Sequence, residues 1–510
     1  MFKNVEWLRD AVLYEIYPQS FYDSNGDGIG DLKGIEEKLD YVKWLGCNAI
    51  WINPFYESPF GDAGYDITDF RKVAPRYGTN EDFEALCRSA HEKGIRILCD
   101  LVPCHTSIEH RFFRESSKKE KNEYSDFYIW CNDPGSEYPH LNKRKYERDD
   151  RYLCSFYAIQ PAINYGFYEV TEDWQMDMNS EICLNNQKKL IDVMDYWISL
   201  GADGFRVDMA KDIIKSDPKR EGTKIFWQKI RQYLDDNHPD IVLISEWSRG
   251  NEAVDAGFHM DMFLSGGSLF RNEKPEENYF NYFRKEGKGI LSRFSDDYID
   301  IYEHIKGRGY WSLVSGNHDQ PRISKGRDDE ELKTLMTFIL TMPSPPIIYY
   351  GDEIGMRFIE GIDKEGSQTS RGGSRTPMQW EDGKKNKGFS TSDDPYLPAD
   401  NSEGSPSVDK QKGKDDSLLE YTRKMTSLKH SHSAFFADSD FRFMDRKMNY
   451  PLWYERKSSD ETIRVVINPS GKKMTIKETE NIKEILECRN ASLDGNAITL
   501  TGLSVFIYTV

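Results

Sequence analysis

Three short runs each place one carboxylate at the end of an apolar stretch: Gly204-Phe205-Arg206-Val207-Asp208, Ile244-Ser245-Glu246-Trp247 and Ser315-Gly316-Asn317-His318-Asp319. Acids carried on separate strands meet only if the strand ends share one face, which a parallel α/β barrel provides. Three converging acids suit a reaction in which positive charge develops and a proton is delivered, and glycoside cleavage is the foremost such reaction. Alternation along the first run sets Phe205 and Val207 on one side and Arg206 and Asp208 on the other. The apolar pair can then face helices while the charged pair faces the barrel axis, where it is costly unless compensated.

Roles follow from what acetal cleavage needs. Asp208, beside Arg206, is expected to stay ionised and to act as the nucleophile. Glu246, beside the apolar Trp247, is expected to hold a proton and to serve as general acid and then general base. Asp319 is placed to orient sugar hydroxyls and to stabilise an oxocarbenium-like state. His105, just past the strand that carries Asp100, is a candidate donor to a hydroxyl.

The elements that would position these residues show a repeating cadence of helix, glycine stop, short turn and apolar strand. Strands are expected at 11–17, 49–52 and 95–102, with a fourth beginning near Gly204 and the seventh and eighth at 310–314 and 346–350. Ile35, Leu39 and Val42 mark one helix that stops at Gly46. Thr79 and Asp82 are spaced to cap the next, which stops at Gly94. Leu190, Met194 and Trp197 mark a third, which stops at Gly201. This predicts an α/β protein built on a (β/α)8 TIM barrel.

The cadence breaks over 106–175, which is too long for an ordinary connection and is expected to form an inserted subdomain over the strand ends. Residues 381–416 are rich in Lys, Asp, Ser, Gly and Pro and read as a long exposed loop. From about Phe435 the pattern turns to short β runs. The expected division is therefore a barrel of residues 1–105 and 176–430, an insertion of 106–175, and a C-terminal antiparallel β-sandwich of 431–510.

Composition narrows the partners. Among 510 residues, Lys+Arg number 68 and Asp+Glu 86, a formal charge of −18. That balance argues against nucleic acid or an anionic membrane and favours a neutral small molecule. Met1 to Ala11 is polar and charged, unlike a secretory leader. No run is long enough to cross a bilayer. The eight cysteines are scattered without metal-ligand spacing, so the expectation is free thiols in a cytoplasmic protein, monomeric or homodimeric, with no organic cofactor. Asp23, Asn25, Asp27 and Asp31 alternate around Gly26 and Gly28. With the Ile29 carbonyl they can wrap a hard cation, as an EF-hand loop does.

Taken together, these segments resemble the ordered motifs of glycoside hydrolase family 13, the α-amylase family. Asp100-Leu101-Val102-Pro103-Cys104-His105, the run from Gly204 to Asp208, Ser245-Glu246-Trp247 and Asn317-His318-Asp319 are similar to its four regions, in the family's order. Gly64-Tyr65-Asp66-Ile67, Gly351-Asp352-Glu353-Ile354-Gly355 and the run from Ser374 to Trp380 resemble segments of its α-glucosidases, in the manner of oligo-1,6-glucosidases. The resemblance implies a retaining, exo-acting α-glucosidase for short α-glucosides, with transglucosidases of the trehalose synthase or sucrose isomerase type as the alternative. It implies Asp208 as nucleophile, Glu246 as acid/base and Asp319 as stabiliser. Tyr65 would stack on the bound glucose, with Asp66, His105, Arg206 and His318 around it. Arg375 would pair with Asp66 and close the pocket. The 23–31 loop would take structural Ca2+, with Mg2+ as the alternative. Cys104 stands where the family carries Asn, so the interdomain calcium of α-amylases is not expected.

Overall fold

The computed structural model describes residues 4–133, 135–142, 146–264, 282–364 and 371–510. Eight parallel strands order the centre of the molecule: β1 (Leu13–Ile16), β2 (Ala49–Ile52), β3 (Arg96–Leu101), β4 (Gly204–Val207), β5 (Val242–Ser245), β6 (Met260–Met262), β7 (Tyr310–Ser312) and β8 (Ile347–Tyr349). They hydrogen-bond in sequence order, and β1 also pairs with β8. The ring closes just past β7, where Val314 bridges to Ile347 and the Ile347 N–H donates to the Leu313 carbonyl at 3.1 Å. Helices cover the outside, as the cadence predicts.

Alternation sorts the strand side chains into two environments. Phe205, Val207, Tyr14 and Ile50 pack outward in the large core shared with the helices. Leu13, Ala49, Leu98, Val242, Ile244 and Met260 form a separate apolar cluster, as expected for a filled barrel interior. One step further along the strands the interior turns polar, with Glu15, Asp100 and Arg206 all buried. The barrel thus has an apolar lower layer and a charged upper layer, and the upper layer faces the catalytic end. Gly204 is required at the start of β4, because a Cβ there would lie 2.6 Å from the Val242 carbonyl.

The capping box is present, with Thr79 and Asp82 bonded reciprocally at the head of Asn80–Glu92. The helix expected before Gly46 is two, Leu32–Glu37 and Leu39–Leu45, broken at Lys38, whose Nζ lies over the rings of Tyr22 and Trp380. Residues after β3 form a small antiparallel sheet from 130–131, 141–142 and 151–153. It is tied to the barrel rim where His105 bridges to Ala162.

The 381–416 segment is not the free loop that its composition suggests. It docks on the 23–31 loop, accepting from Asp23 N at Phe389 O (3.1 Å) and donating from Tyr396 N to Gly28 O (2.9 Å). The C-terminal strands β9 (Asp440–Phe443), β10 (Leu452–Lys457), β11 (Thr462–Asn468), β12 (Met474–Lys477), β13 (Glu484–Asp494) and β14 (Ala497–Thr509) hydrogen-bond as one branched antiparallel sheet. The cause is the length of β14, which pairs with β12, β11 and β13 in turn. No helix among the described residues is long and apolar enough to cross a membrane.

Candidate active site

The upper layer of the barrel opens into a cavity of ≈ 300 Å³ whose walls include Asp208, Glu246, Asp319, Tyr65 and His105. Arg206, from the middle of β4, organises its floor. Its Nη1 donates to Asp100 Oδ1 at 2.9 Å and Asp208 Oδ1 at 3.1 Å, and its Nη2 lies 2.9 Å from Glu246 Oε2. The guanidinium also lies over the Trp51 ring, 5.0 Å from its centroid. Arg206 is fully buried, and Asp100 with it.

One guanidinium cannot neutralise three carboxylates. Burial pushes Asp100 up to about 6 despite Arg206. Burial, and then the charge of Glu246, pushes Asp208 upward against the pull of Arg206. The expectation that Arg206 keeps Asp208 ionised is therefore corrected: Asp100, Asp208 and Glu246 share the one cation, and its pull on Asp208 is opposed by burial and by the charge of Glu246. Asp319 is the opposite case. Burial would raise it, but it accepts from Arg375 Nη2 at 2.8 Å and pairs with Arg371 Nη1 at 3.0 Å. Burial holds the neighbouring His318 near 3 and so uncharged at neutral pH, which leaves the two arginines to keep Asp319 well below the ordinary carboxylate range.

The backbone turns that present these groups are tight. Met209, directly after Asp208, has φ +46°, and its N–H donates to Glu246 Oε2 at 3.0 Å. Cys104 Sγ lies 3.5 Å from the Met209 carbonyl. The ring of His318 lies nearly parallel to Tyr17 and Tyr65, at 11° and 12°. Its Nδ1 is 2.8 Å from Glu15 Oε1 and its Nε2 is 2.7 Å from the Tyr65 hydroxyl. Tyr65 is thereby fixed against the floor, with Asp100 Oδ2 at 3.1 Å.

Residues 15–438 match the sequence profile of the α-amylase catalytic domain. The chain belongs to the α-amylase family of glycoside hydrolases. It is 32% identical to a trehalose synthase/amylase of Mycolicibacterium smegmatis, over 85% of this chain and 77% of that protein. It is 31% identical to an oligo-1,6-glucosidase of Heyndrickxia coagulans, over 94% of this chain and 95% of the other. Among solved structures it is similar to an isomaltulose synthase variant from Erwinia rhapontici bound to sucrose, with a TM-score of 0.83 and 26% identity over 99% of both chains.

Within this α-amylase-family barrel, the three expected catalytic acids share the cavity, together with Tyr65 and His105. Arg206, His318 and Arg375 stand buried behind its wall, bonded to the residues that line it. Two expectations change. Asp66 does not line the cavity: its carboxylate accepts from Ser58 Oγ, Gly61 N and Asp62 N, and burial raises it to about 6. Arg375 accordingly pairs with Asp319 and not with Asp66. The acid of that loop facing the cavity is Asp62, whose Oδ2 accepts from Gln160 of the insertion at 2.8 Å while Oδ1 has no partner among the described residues. His105 also changes role. Its Nε2 lies 3.1 Å from the Tyr65 carbonyl, which can only accept, so the ring proton sits there and Nδ1 is left as an unpartnered acceptor. Arg371 and Phe156, absent from the sequence reading, meet at the wall, guanidinium 5.5 Å from the ring centroid.

The 23–31 loop keeps the geometry of its spacing. Asp23 Oδ1 accepts from Asn25 N and Gly26 N, Asn25 Oδ1 from Asp27 N, and Asp27 Oδ1 from Ile29 N. Gly28 holds φ +95°, the sharp turn required at the sixth position of such a loop. Ser390 Oγ donates to Asp23 Oδ2 at 2.5 Å. Among the described residues no three His, Cys, Asp or Glu side chains converge to hold a metal by themselves. The Asn25 amide oxygen and the Ile29 carbonyl would have to complete a set with Asp23, Asp27 and Asp31.

Proposed function

We propose that this enzyme is a retaining, exo-acting α-glucosidase that hydrolyses short α-linked gluco-oligosaccharides or disaccharides. The observation that carries the reading is the arrangement of Asp208 and Glu246 on the two Nη atoms of Arg206 at the base of one cavity that also contains Asp319. Such closeness favours the retaining separation of about 5–5.5 Å over the inverting one of about 6.5–9.5 Å. The cavity lies at the small end of ligand pockets, which favours a short substrate entering by its end.

In this reading Glu246 passes a proton to the leaving oxygen. As the C1–O bond breaks, the Asp208 carboxylate forms an ester at C1. Water then enters, gives a proton to Glu246, adds to C1 and releases Asp208. Asp319, kept ionised by Arg371 and Arg375, stabilises the cationic ring and binds its hydroxyls. Tyr65 supports the sugar face. Asp62 Oδ1 and His105 Nδ1 are acceptors for its hydroxyls, and Asp62 takes the place first assigned to Asp66. The 23–31 loop takes Ca2+, or Mg2+, in a structural role and contributes nothing to the chemistry. The eight free cysteines, six of them buried, favour a cytoplasmic setting.

A second reading has a specific support. The similarity to a trehalose synthase and to an isomaltulose synthase favours a transglucosidase, in which a sugar hydroxyl replaces water in the second half-reaction. NMR of products from maltose, isomaltose, sucrose, trehalose and kojibiose, each tested alone, separates the two. Free glucose released first as the α-anomer is expected for hydrolysis with retention. A new disaccharide as the main product would install the second reading, and first release of the β-anomer would overturn retention.

A further inference from the structure

Asp261 sits in the middle of β6, fully buried between Met260 and Met262, whose side chains belong to the barrel's inner core. Alternation turns Asp261 away from that core, toward the neighbouring strand β5, where its register partner is Ser245. A single oxygen, Oδ1, accepts from Ser245 Oγ at 2.7 Å, Trp247 N at 3.0 Å and Ser248 N at 3.3 Å. These residues flank Glu246 on both sides. The other oxygen, Oδ2, is buried without a hydrogen-bond partner among the described residues.

A carboxyl in such a place is costly, and it stabilises an equally costly backbone. Ser248 has φ +63°, in the left-handed region that a residue with a Cβ rarely adopts. That turn carries the chain from the end of β5 across the cavity wall, where Trp247 and Ser248 both lie. The Trp247 indole N–H is held separately by Glu252 Oε2 at 3.0 Å. Glu246 itself is held at its backbone N–H, which donates to the Val207 carbonyl at 3.0 Å, and at its carboxyl, by Met209 N and Arg206. Nothing in the chemistry assigned above uses Asp261.

We propose that Asp261 is a positioning residue for the general acid: its Oδ1 holds the Ser245 hydroxyl on one side of Glu246 and the Trp247 and Ser248 backbone on the other, and so aims the Glu246 carboxyl at the leaving-group oxygen. This rests on the reading of Glu246 as the proton donor. A displaced donor penalises leaving groups that need a proton and spares those that depart as stable anions. A merely structural role would lower the rate on both.

The test compares the best disaccharide substrate with α-glucosyl fluoride. Asp261→Ala is expected to lower kcat/KM for the disaccharide by about 10- to 100-fold, the scale of a roughly 1 Å misplacement, with kcat/KM for the fluoride, which reports the first half-reaction alone, changing less than about threefold. Asp261→Asn keeps one acceptor oxygen and is expected to recover most of the loss. Ser245→Ala removes one of the three donors without touching β6, and it should show the same selectivity in weaker form, even if Asp261→Ala fails to fold. Equal losses on both substrates in every folded variant, or an Asn variant no better than Ala, would overturn the proposal. Glu246→Gln serves as the reference. If it loses kcat/KM on the disaccharide and keeps kcat/KM on the fluoride while the Asp261 and Ser245 variants show no selectivity, only the positioning role falls. If Glu246→Gln itself shows no selectivity, the assignment of the acid falls.

Discussion

Arg206 donates to Asp208 across 3.1 Å, from a position two residues earlier on the same side of β4. The same nitrogen holds Asp100 on β3, and the other Nη lies against Glu246 at the end of β5. Three adjacent strands are therefore joined through one buried cation.

Removing that cation leaves three acids near one another in a site of low polarity. Arg206→Met is expected to destabilise the fold by about 3–5 kcal/mol, the usual cost of breaking a buried ion pair from one side. Arg206→Lys keeps the charge but cannot reach Asp100, Asp208 and Glu246 together, because an ammonium lacks the planar fork. It should recover part of the stability and little of the activity. Denaturant midpoints together with kcat on a disaccharide check both. A Met variant as stable as the native protein would show that the cluster is already neutral by protonation.

Much of this was legible because it is local. A charged pair at alternate positions of an apolar run announces a polar barrel layer, and Phe205 and Val207 pack outward as their period requires. Thr79 and Asp82 form their box because a cap depends on three or four consecutive residues. What was not legible depends on how separate loops fold against one another. Asp62 and Asp66 are equivalent by type and lie four residues apart, and only the hydrogen bonds of the 58–66 turn show which carboxylate is consumed internally. Arg371 and Phe156 come from segments without periodicity, so nothing in the sequence announces their meeting. Asp261 did carry a signal, a lone acid in an apolar run from Phe258 to Phe263, but its partner is on another strand.

Arg371 makes the acid limb of activity adjustable. Asp319 must be ionised to stabilise a cationic ring, and Arg375 and Arg371 hold its carboxyl low. Arg371→Ala removes one of the two charges, so the Asp319 pKa rises. Protonation on acidification then begins at a higher pH. The acid limb of kcat/KM is expected to move to higher pH in the variant, with the alkaline limb unmoved. An unchanged acid limb would mean that the limb belongs to Asp208, whose carboxyl burial raises, and not to Asp319. Phe156→Ala leaves both arginines in place and should leave the limb where it is.

The 23–31 loop supplies a prediction that is independent of catalysis. A cation that binds only the folded protein stabilises it by about 2.7 kcal/mol at 100 times its dissociation constant. Addition of Ca2+ to chelator-treated protein is therefore expected to raise Tm, and Mg2+ to raise it less, since it tolerates fewer protein oxygens. Asp27→Ala should abolish the increment. Because Phe389, Ser390 and Tyr396 dock on this loop, stripping the metal should also expose the 381–416 segment to protease. A Tm indifferent to Ca2+ and to chelator would leave the loop a set of turns with no ion.

Glu353 gives the pH dependence of stability a sign. It is fully buried behind β8, where its Oε1 accepts from Tyr14 at 2.8 Å and Tyr41 at 2.7 Å while Oε2 has no partner among the described residues. Burial, only partly offset by the two tyrosines, pushes it up to about 7. Between the ordinary carboxyl value and 7 the folded protein keeps a proton that the unfolded chain has lost, so stability falls as pH rises through that window and levels off above it. The group's share of that fall is about 3 kcal/mol, at 1.36 kcal/mol per pKa unit. Glu353→Gln keeps an acceptor for Tyr14 and Tyr41 and never ionises. Its stability relative to the native protein should therefore be greater at pH 8 than at pH 5, as read from urea midpoints at the two values. A difference that is the same at both would place the proton of this network elsewhere, with Asp261, which burial also raises to about 7, as the next group to replace.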